Sequence, residues 1–177
     1  MAFVASLLLL YLPTAPASAA AGDLDTTFDG DGKVVTPILT RNDQAFAVAV
    51  ASDGKIVAAG RANNGSDFDF ALARYNPDGT LDTSFDTDGK VATDLDGRED
   101  EAFAVAIQPD GKIVAAGKTD SGPDTDFALA RYNPDGTLDT SFDTDGKVST
   151  DIDADNDEAS GVALASGGKI VAAGDTN

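Results

Sequence analysis

Residues 69–91 read DFALARYNPDGTLDTSFDTDGKV, and residues 126–148 repeat them letter for letter. Two shorter markers around this stretch occur three times. Leu24-Asp25-Thr26-Thr27-Phe28 returns as Leu81-Asp82-Thr83-Ser84-Phe85 and as Leu138-Asp139-Thr140-Ser141-Phe142. KIVAAG begins at Lys55, Lys112 and Lys169, and every interval is 57 residues. A fixed period of this kind marks stacked supersecondary units, none of which buries its apolar surface alone. The repeats run 24–80, 81–137 and, in part, 138–177, inside a repeat region of 20–177.

Each unit reads as β structure. Gln44 to Ser52 (QAFAVAVAS) alternates Ala with Phe or Val, a period-two strand signal. Both of its faces are apolar or small, so it is expected to lie between two layers. Lys55 to Ala62 and Asp67 to Tyr75 are further strands, the latter with Phe68, Phe70 and Leu72 on one face. Val34 to Leu39 (VVTPIL) is a β-branched run interrupted by Pro37, which suits an edge strand. Asp53-Gly54 and Asp110-Gly111 join apolar runs as hairpins. Asn76-Pro77-Asp78-Gly79 predicts a type I turn closed by a glycine bulge: Pro presets φ, and Gly accepts the positive φ that follows. Ser166-Gly167-Gly168 loses the Asp of the first hairpin but keeps the glycine, so that Asp is dispensable for the turn. Four short antiparallel strands in about 57 residues is the size of a β-propeller blade. The expected fold is therefore all-β, with tandem four-stranded blades numbering roughly two and three-quarters. Closed propellers need at least about four. The third copy stops where DFALARYN should follow, which fits a piece of a longer propeller, an open stack, or a ring completed by other chains.

The amino terminus differs. Phe3 to Leu12 is apolar, Pro13 and Pro16 break the run, and Ala17-Ser18-Ala19 offers a small-residue cleavage site. Residues 1–19 are read as a signal peptide, too short for a membrane span. The whole chain has 12 basic and 31 acidic residues, a net charge of -19, and no Cys, His or Trp. Disulfides and thiol chemistry are excluded, as are histidine general bases. So acidic a surface repels nucleic acid and anionic lipid and attracts cations.

The phrases LDTSFDTDGKV, AFAVAIQPDGKIVAAG and DFALARYNPDG resemble the delta-60 repeat of secreted bacterial proteins, a domain of unknown function with an expected β-propeller fold. A looser resemblance runs to NHL-type propeller repeats. The first resemblance covers nearly all of residues 22–177 and implies an extracellular repeat module. It implies no particular activity.

Candidate chemistry is sparse. Asp29, Asp31, Asp86, Asp88, Asp143 and Asp145 have spacing like the start of a calcium loop. Thr27, Ser84 and Ser141 stand where the first ligand belongs, however, and Leu95 where the bidentate Glu belongs. Ordinary Asp-Gly turns are the competing reading. Asp94 to Glu101 and Asp151 to Glu158 form a second acidic stretch whose charge varies between copies, as a solvated loop would. Arg74-Tyr75 and Arg131-Tyr132 fit a ligand-facing rim or, more simply, an arginine meeting an acidic neighbour while the tyrosine packs between blades. No pair of carboxylates stands out as a glycosidase acid and base. No Ser has a His partner.

The expected function is that of a secreted, non-catalytic propeller segment, a scaffold or binding module at the cell surface. One alternative is the frame of a larger extracellular enzyme whose catalytic residues lie outside this chain. Another is a calcium-stabilised adhesion module. No cofactor is required beyond calcium in that last reading. The expected partners are an extracellular protein or carbohydrate, or other copies through exposed blade faces. Nucleic acid is not expected, and neither is a stable membrane span after signal cleavage.

Overall fold

The computed structural model describes residues 22–39, 42–95, 98–120, 122–153 and 155–176. Residues 1–19, read from the sequence as a signal peptide, lie outside the described residues. Among those described there is no α-helix, and hence none able to cross a membrane. Strands β1 (Gln44–Val50), β2 (Ile56–Asn63), β3 (Phe68–Tyr75) and β4 (Lys90–Thr93) make one antiparallel meander in sequence order. β5 (Asp100–Ile107), β6 (Ile113–Asp120), β7 (Thr125–Tyr132) and β8 (Lys147–Thr150) make a second. β9 (Asp157–Leu164) and β10 (Ile170–Thr176) pair as the start of a third. These are tandem blades of a β-propeller-like fold, and among the described residues no sheet closes on itself.

The turns follow their residue chemistry. Gly79 donates its N–H to Asn76 O at 3.0 Å with φ of 88°, and Asn76 donates to Thr80 O at 2.8 Å. The last hairpin keeps its closure, Ala165 N–H to Lys169 O at 2.8 Å, although its Asp is gone.

Two expectations are corrected. Val34 to Leu39 lies in no strand. Its counterparts, Lys90–Thr93 and Lys147–Thr150, are the edge strands β4 and β8 because β3 and β7 precede them and pair with them. The first copy has no such strand ahead of it among the described residues. The second correction concerns β1, expected to be covered on both faces. Phe46, Val48 and Val50 are 44%, 66% and 67% exposed. The corresponding strand β5 is mostly covered, because it packs against β1, β2 and β3 of the preceding blade. Nearly the same sequence is thus buried or bare according to whether a blade lies in front of it.

The core forms at this junction. Phe70, Leu72, Phe85 and Val57 of the first blade meet Ala102, Ile113, Ala115 and Tyr132 of the second. Small residues on β5 and β6 let the sheets approach closely, while Phe and Tyr fill the wider parts. Tyr132 donates its hydroxyl to Thr93 Oγ1 at 2.9 Å, tying β7 to β4 across the blades. Full burial pushes the phenol's pKa up.

The first strand of each blade carries a bulge. Ala45 pairs with Gly60 and Ala47 with Ala59, leaving Phe46 over. Ala102 pairs with Gly117 and Ala104 with Ala116, leaving Phe103 over. The two bulged rings meet across the blades, centroids 5.5 Å apart. Glycine is required opposite each bulge. A Cβ on Gly60, Gly117 or Gly174 would lie 1.9, 1.8 or 1.8 Å from the carbonyl oxygen of Gln44, Glu101 or Glu158. This is why KIVAAG ends in Gly in every copy.

Candidate functional site

The duplicated stretch folds into a clasp around one carboxylate. Asp82 Oδ2 accepts Lys55 Nζ at 2.5 Å and Arg74 Nε at 2.7 Å. Its Oδ1 accepts the backbone N–H and the hydroxyl of Ser84 at 3.1 and 2.6 Å. Asp139 repeats this with Lys112, Arg131 and Ser141 at closely similar distances. Burial alone would raise the Asp82 pKa, but Lys55, Ser84 and Arg74 outweigh it and hold the carboxyl well below the usual range. The Lys112 and Ser141 hydrogen bonds, with the Arg131 charge, do the same for Asp139. Asp25 keeps only the Thr27 half of the arrangement. The arginine of each Arg-Tyr pair thus meets an acid. It lies over Phe85 or Phe142, 4.6 Å from each centroid, and not over its neighbouring tyrosine.

This clasp also joins blades. Arg74 Nη1 donates to Pro134 O, in the Asn-Pro-Asp-Gly turn of the next blade. Asp86 N–H donates to Asp135 O at 2.7 Å, and Asp29 N–H donates to Asp78 O at 2.7 Å. The Asp86–Gly89 turn of the first blade therefore docks on the Asn133–Gly136 turn of the second, and Asp29–Gly32 docks in the same way on Asn76–Gly79. Asp29, Asp86 and Asp143 take the left-handed region, with φ of 46°, 43° and 44°. Asp31, Asp88 and Asp145 each accept the N–H of the lysine two residues on, at 2.9, 3.0 and 2.9 Å. Among the described residues, none of these six converges with two other acids.

The acids that do converge are different. Asp69, Asp94 and Asp100 offer carboxylate oxygens within 4.8 Å of one another, and so do Asp126, Asp151 and Asp157. The two trios are related by the repeat. Register explains the first two members of each. Phe70 pairs with Thr93 and Phe127 with Thr150, so Asp69 and Asp94, like Asp126 and Asp151, are one step beyond the end of the ladder. The third member opens the first strand of the next blade. The crossover loop folds back on it: Asp100 Oδ2 accepts Leu95 N–H at 2.7 Å, and Asp157 Oδ2 accepts Ile152 N–H at 2.7 Å. Asp100 and Asp157 are fully buried. The second acidic stretch is thus only partly the solvated loop expected of it: Asp94, Asp151 and Asp153 are exposed, while Asp100 and Asp157 are sealed at the blade junction. Burial, then the nearby Asp94 and Asp67, raises the Asp69 pKa against the opposing Asn64 hydrogen bond. Desolvation and the charges of Asp126, Asp124, Asp157 and Asp153 raise that of Asp151.

Near the hairpins that start each blade lies a cleft of about 750 Å³, walled by Val50, Ile107, Pro109 and Leu164. Its ionisable groups are engaged. Lys55 and Arg74 hold Asp82, while Asp53 and Asp110 accept the backbone N–H of Lys55 and Lys112 at 3.1 and 3.2 Å. Gln108 Oε1, also on this wall, is buried without a hydrogen-bond partner.

The family model of a β-propeller domain of unknown function, DUF5122, matches residues 51–85 and 108–142. Each matched span contains one complete clasp, from Lys55 through Asp82 to Phe85 and from Lys112 through Asp139 to Phe142. No curated protein matches the chain.

Proposed function

We propose that this chain is a non-catalytic segment of an extracellular propeller, serving as scaffold and binding surface at the cell surface. The carrying observation is that Asp82 and Asp139, in the spans shared with the family model, each engage one lysine and one arginine. Acid and base are spent on closing each blade, and Arg74 also reaches the next. A pair tied this way is a poor proton donor and acceptor, since catalysis needs groups whose pKa values lie near the working pH. The binding half rests on the apolar-walled cleft and on Gln108 Oε1, which offers a partner's donor an acceptor already freed of water. An extracellular protein or carbohydrate carries such donors. The exposed face of β1 has the residues that β5 uses to pack on the blade before it, so a further blade or another copy fits there.

Export is tested by fusing the chain to a reporter that is active only outside the cytoplasm. Signal that depends on residues 1–19 is expected, and a reporter retained inside the cell overturns the extracellular reading. Purified protein should leave chromogenic glycoside, ester, peptide and phosphate substrates unchanged. Saturable turnover of any of them overturns the non-catalytic one.

A further inference from the structure

We propose that the trios Asp69–Asp94–Asp100 and Asp126–Asp151–Asp157 each bind a divalent cation of calcium's kind, clamping one blade to the next. Oxygens coordinated to one calcium ion at 2.3–2.6 Å lie at most about 5 Å apart. The carboxylate oxygens of each trio already lie within 4.8 Å of one another. The donors are all oxygens, which suits a hard cation over a transition metal.

A second observation points to a ligand. Asp157 is fully buried, and its Oδ1 has no hydrogen-bond partner although Oδ2 is satisfied by the crossover loop. In the preceding trio the equivalent oxygen of Asp100 accepts the Thr119 hydroxyl at 2.6 Å. A buried carboxylate oxygen left bare is costly, and a cation removes that cost. Among the described residues no lysine or arginine pairs with Asp126, Asp151 or Asp157. The Asp126 carboxylate accepts the Ser149 hydroxyl at 3.0 Å.

The members of each trio come from three parts of the chain: the third strand of one blade, the loop after its edge strand, and the first strand of the next blade. A bound ion would therefore hold two blades at once. The first copy is a built-in contrast. Asp43 stands where Asp100 stands, its Oδ1 also buried and bare, but Pro37 replaces the loop carboxylate.

Isothermal titration of calcium into the metal-stripped protein should give two ions per chain. Tm should rise by about 5 °C or more at calcium about a hundredfold above Kd. Asp94 and Asp151 are exposed, so Asp94→Asn with Asp151→Asn leaves a folded protein, and affinity should fall about tenfold or more as ligand charge is lost. Asp86→Asn with Asp143→Asn, in the turns that resemble a calcium loop, should leave stoichiometry and affinity unchanged. Absence of heat and of any Tm shift at millimolar calcium overturns the proposal. So does full binding by the Asp94/Asp151 variant, or loss of binding in the Asp86/Asp143 variant.

Discussion

Gly117→Ala is the sharpest test of the blade geometry. The added Cβ would lie 1.8 Å from the Glu101 carbonyl oxygen and 3.0 Å from Ala102 Cα. A comfortable carbon–oxygen contact is about 3.3 Å or more, so the strands must part by roughly 1.5 Å where they are hydrogen-bonded. The obstructing atom belongs to the backbone and cannot rotate away. Overpacking of this kind costs about 1–3 kcal/mol, and the backbone clash puts this case near 3. At roughly 2–4 °C per kcal/mol for a chain of this size, Tm should fall by about 6–12 °C. Calorimetry with urea unfolding gives both Tm and free energy. Gly161→Ala is the control in the same type of strand. Its Cβ would be 3.7 Å from Ala173 O, its φ is not positive, and the other copies have Ala47 and Ala104 at that position. It should stabilise by about 0.4–1 kcal/mol, through lost freedom in the unfolded chain. If Gly117→Ala melts within about 2 °C of the parent protein, the close strand approach opposite the bulge is refuted.

Tyr132→Phe removes the hydrogen bond to Thr93 and should cost about 1 kcal/mol in urea unfolding; no loss would mean that this bond does not hold β7 to β4. Asp82→Asn tests the clasp through pH. The folded Asp82 pKa lies below its unfolded value, so its contribution is fully present above about pH 4 and is lost as pH falls through the folded value. The stability gap between parent and variant should therefore stay constant between about pH 5 and 8 and shrink below about pH 4. A gap that widens in acid would show that Asp82 is not stabilised as the charged form.

The period, the strands and the turns were legible because each rests on local chemistry. Asp-Gly and Pro-Asp-Gly set backbone angles within four residues, and KIVAAG needs no distant partner to read as a strand. The bulge was not legible. AFAVAV looks like unbroken alternation, yet Phe46 and Phe103 each sit between two ladder pairs, which shifts the register that follows. The signal for it lay in the other strand, in the glycine closing each IVAAG. The burial of β1 could not be read from its own residues either, since β5 has nearly the same sequence and a different neighbour.

The calcium-like spacing and the converging acids show why linear motifs fail in a stacked repeat. Asp86 and Asp88 are close in sequence, but the turn sends the Asp86 backbone and the Asp88 side chain into docking and capping contacts: Asp86 N–H reaches Asp135 O, and Asp88 Oδ1 takes Lys90 N–H. Asp69 is the second residue of a largely apolar strand and belongs to no loop motif. It meets Asp94 only through the pairing of β3 with β4, and Asp100 only because the next blade packs there. The informative signal was an Asp at a fixed place in DFALARY, where a purely apolar strand would serve a core as well. In a repeat protein such a residue is best compared with the polar positions of the following unit, because the stack, more than the sequence interval, decides which carboxylates share a site.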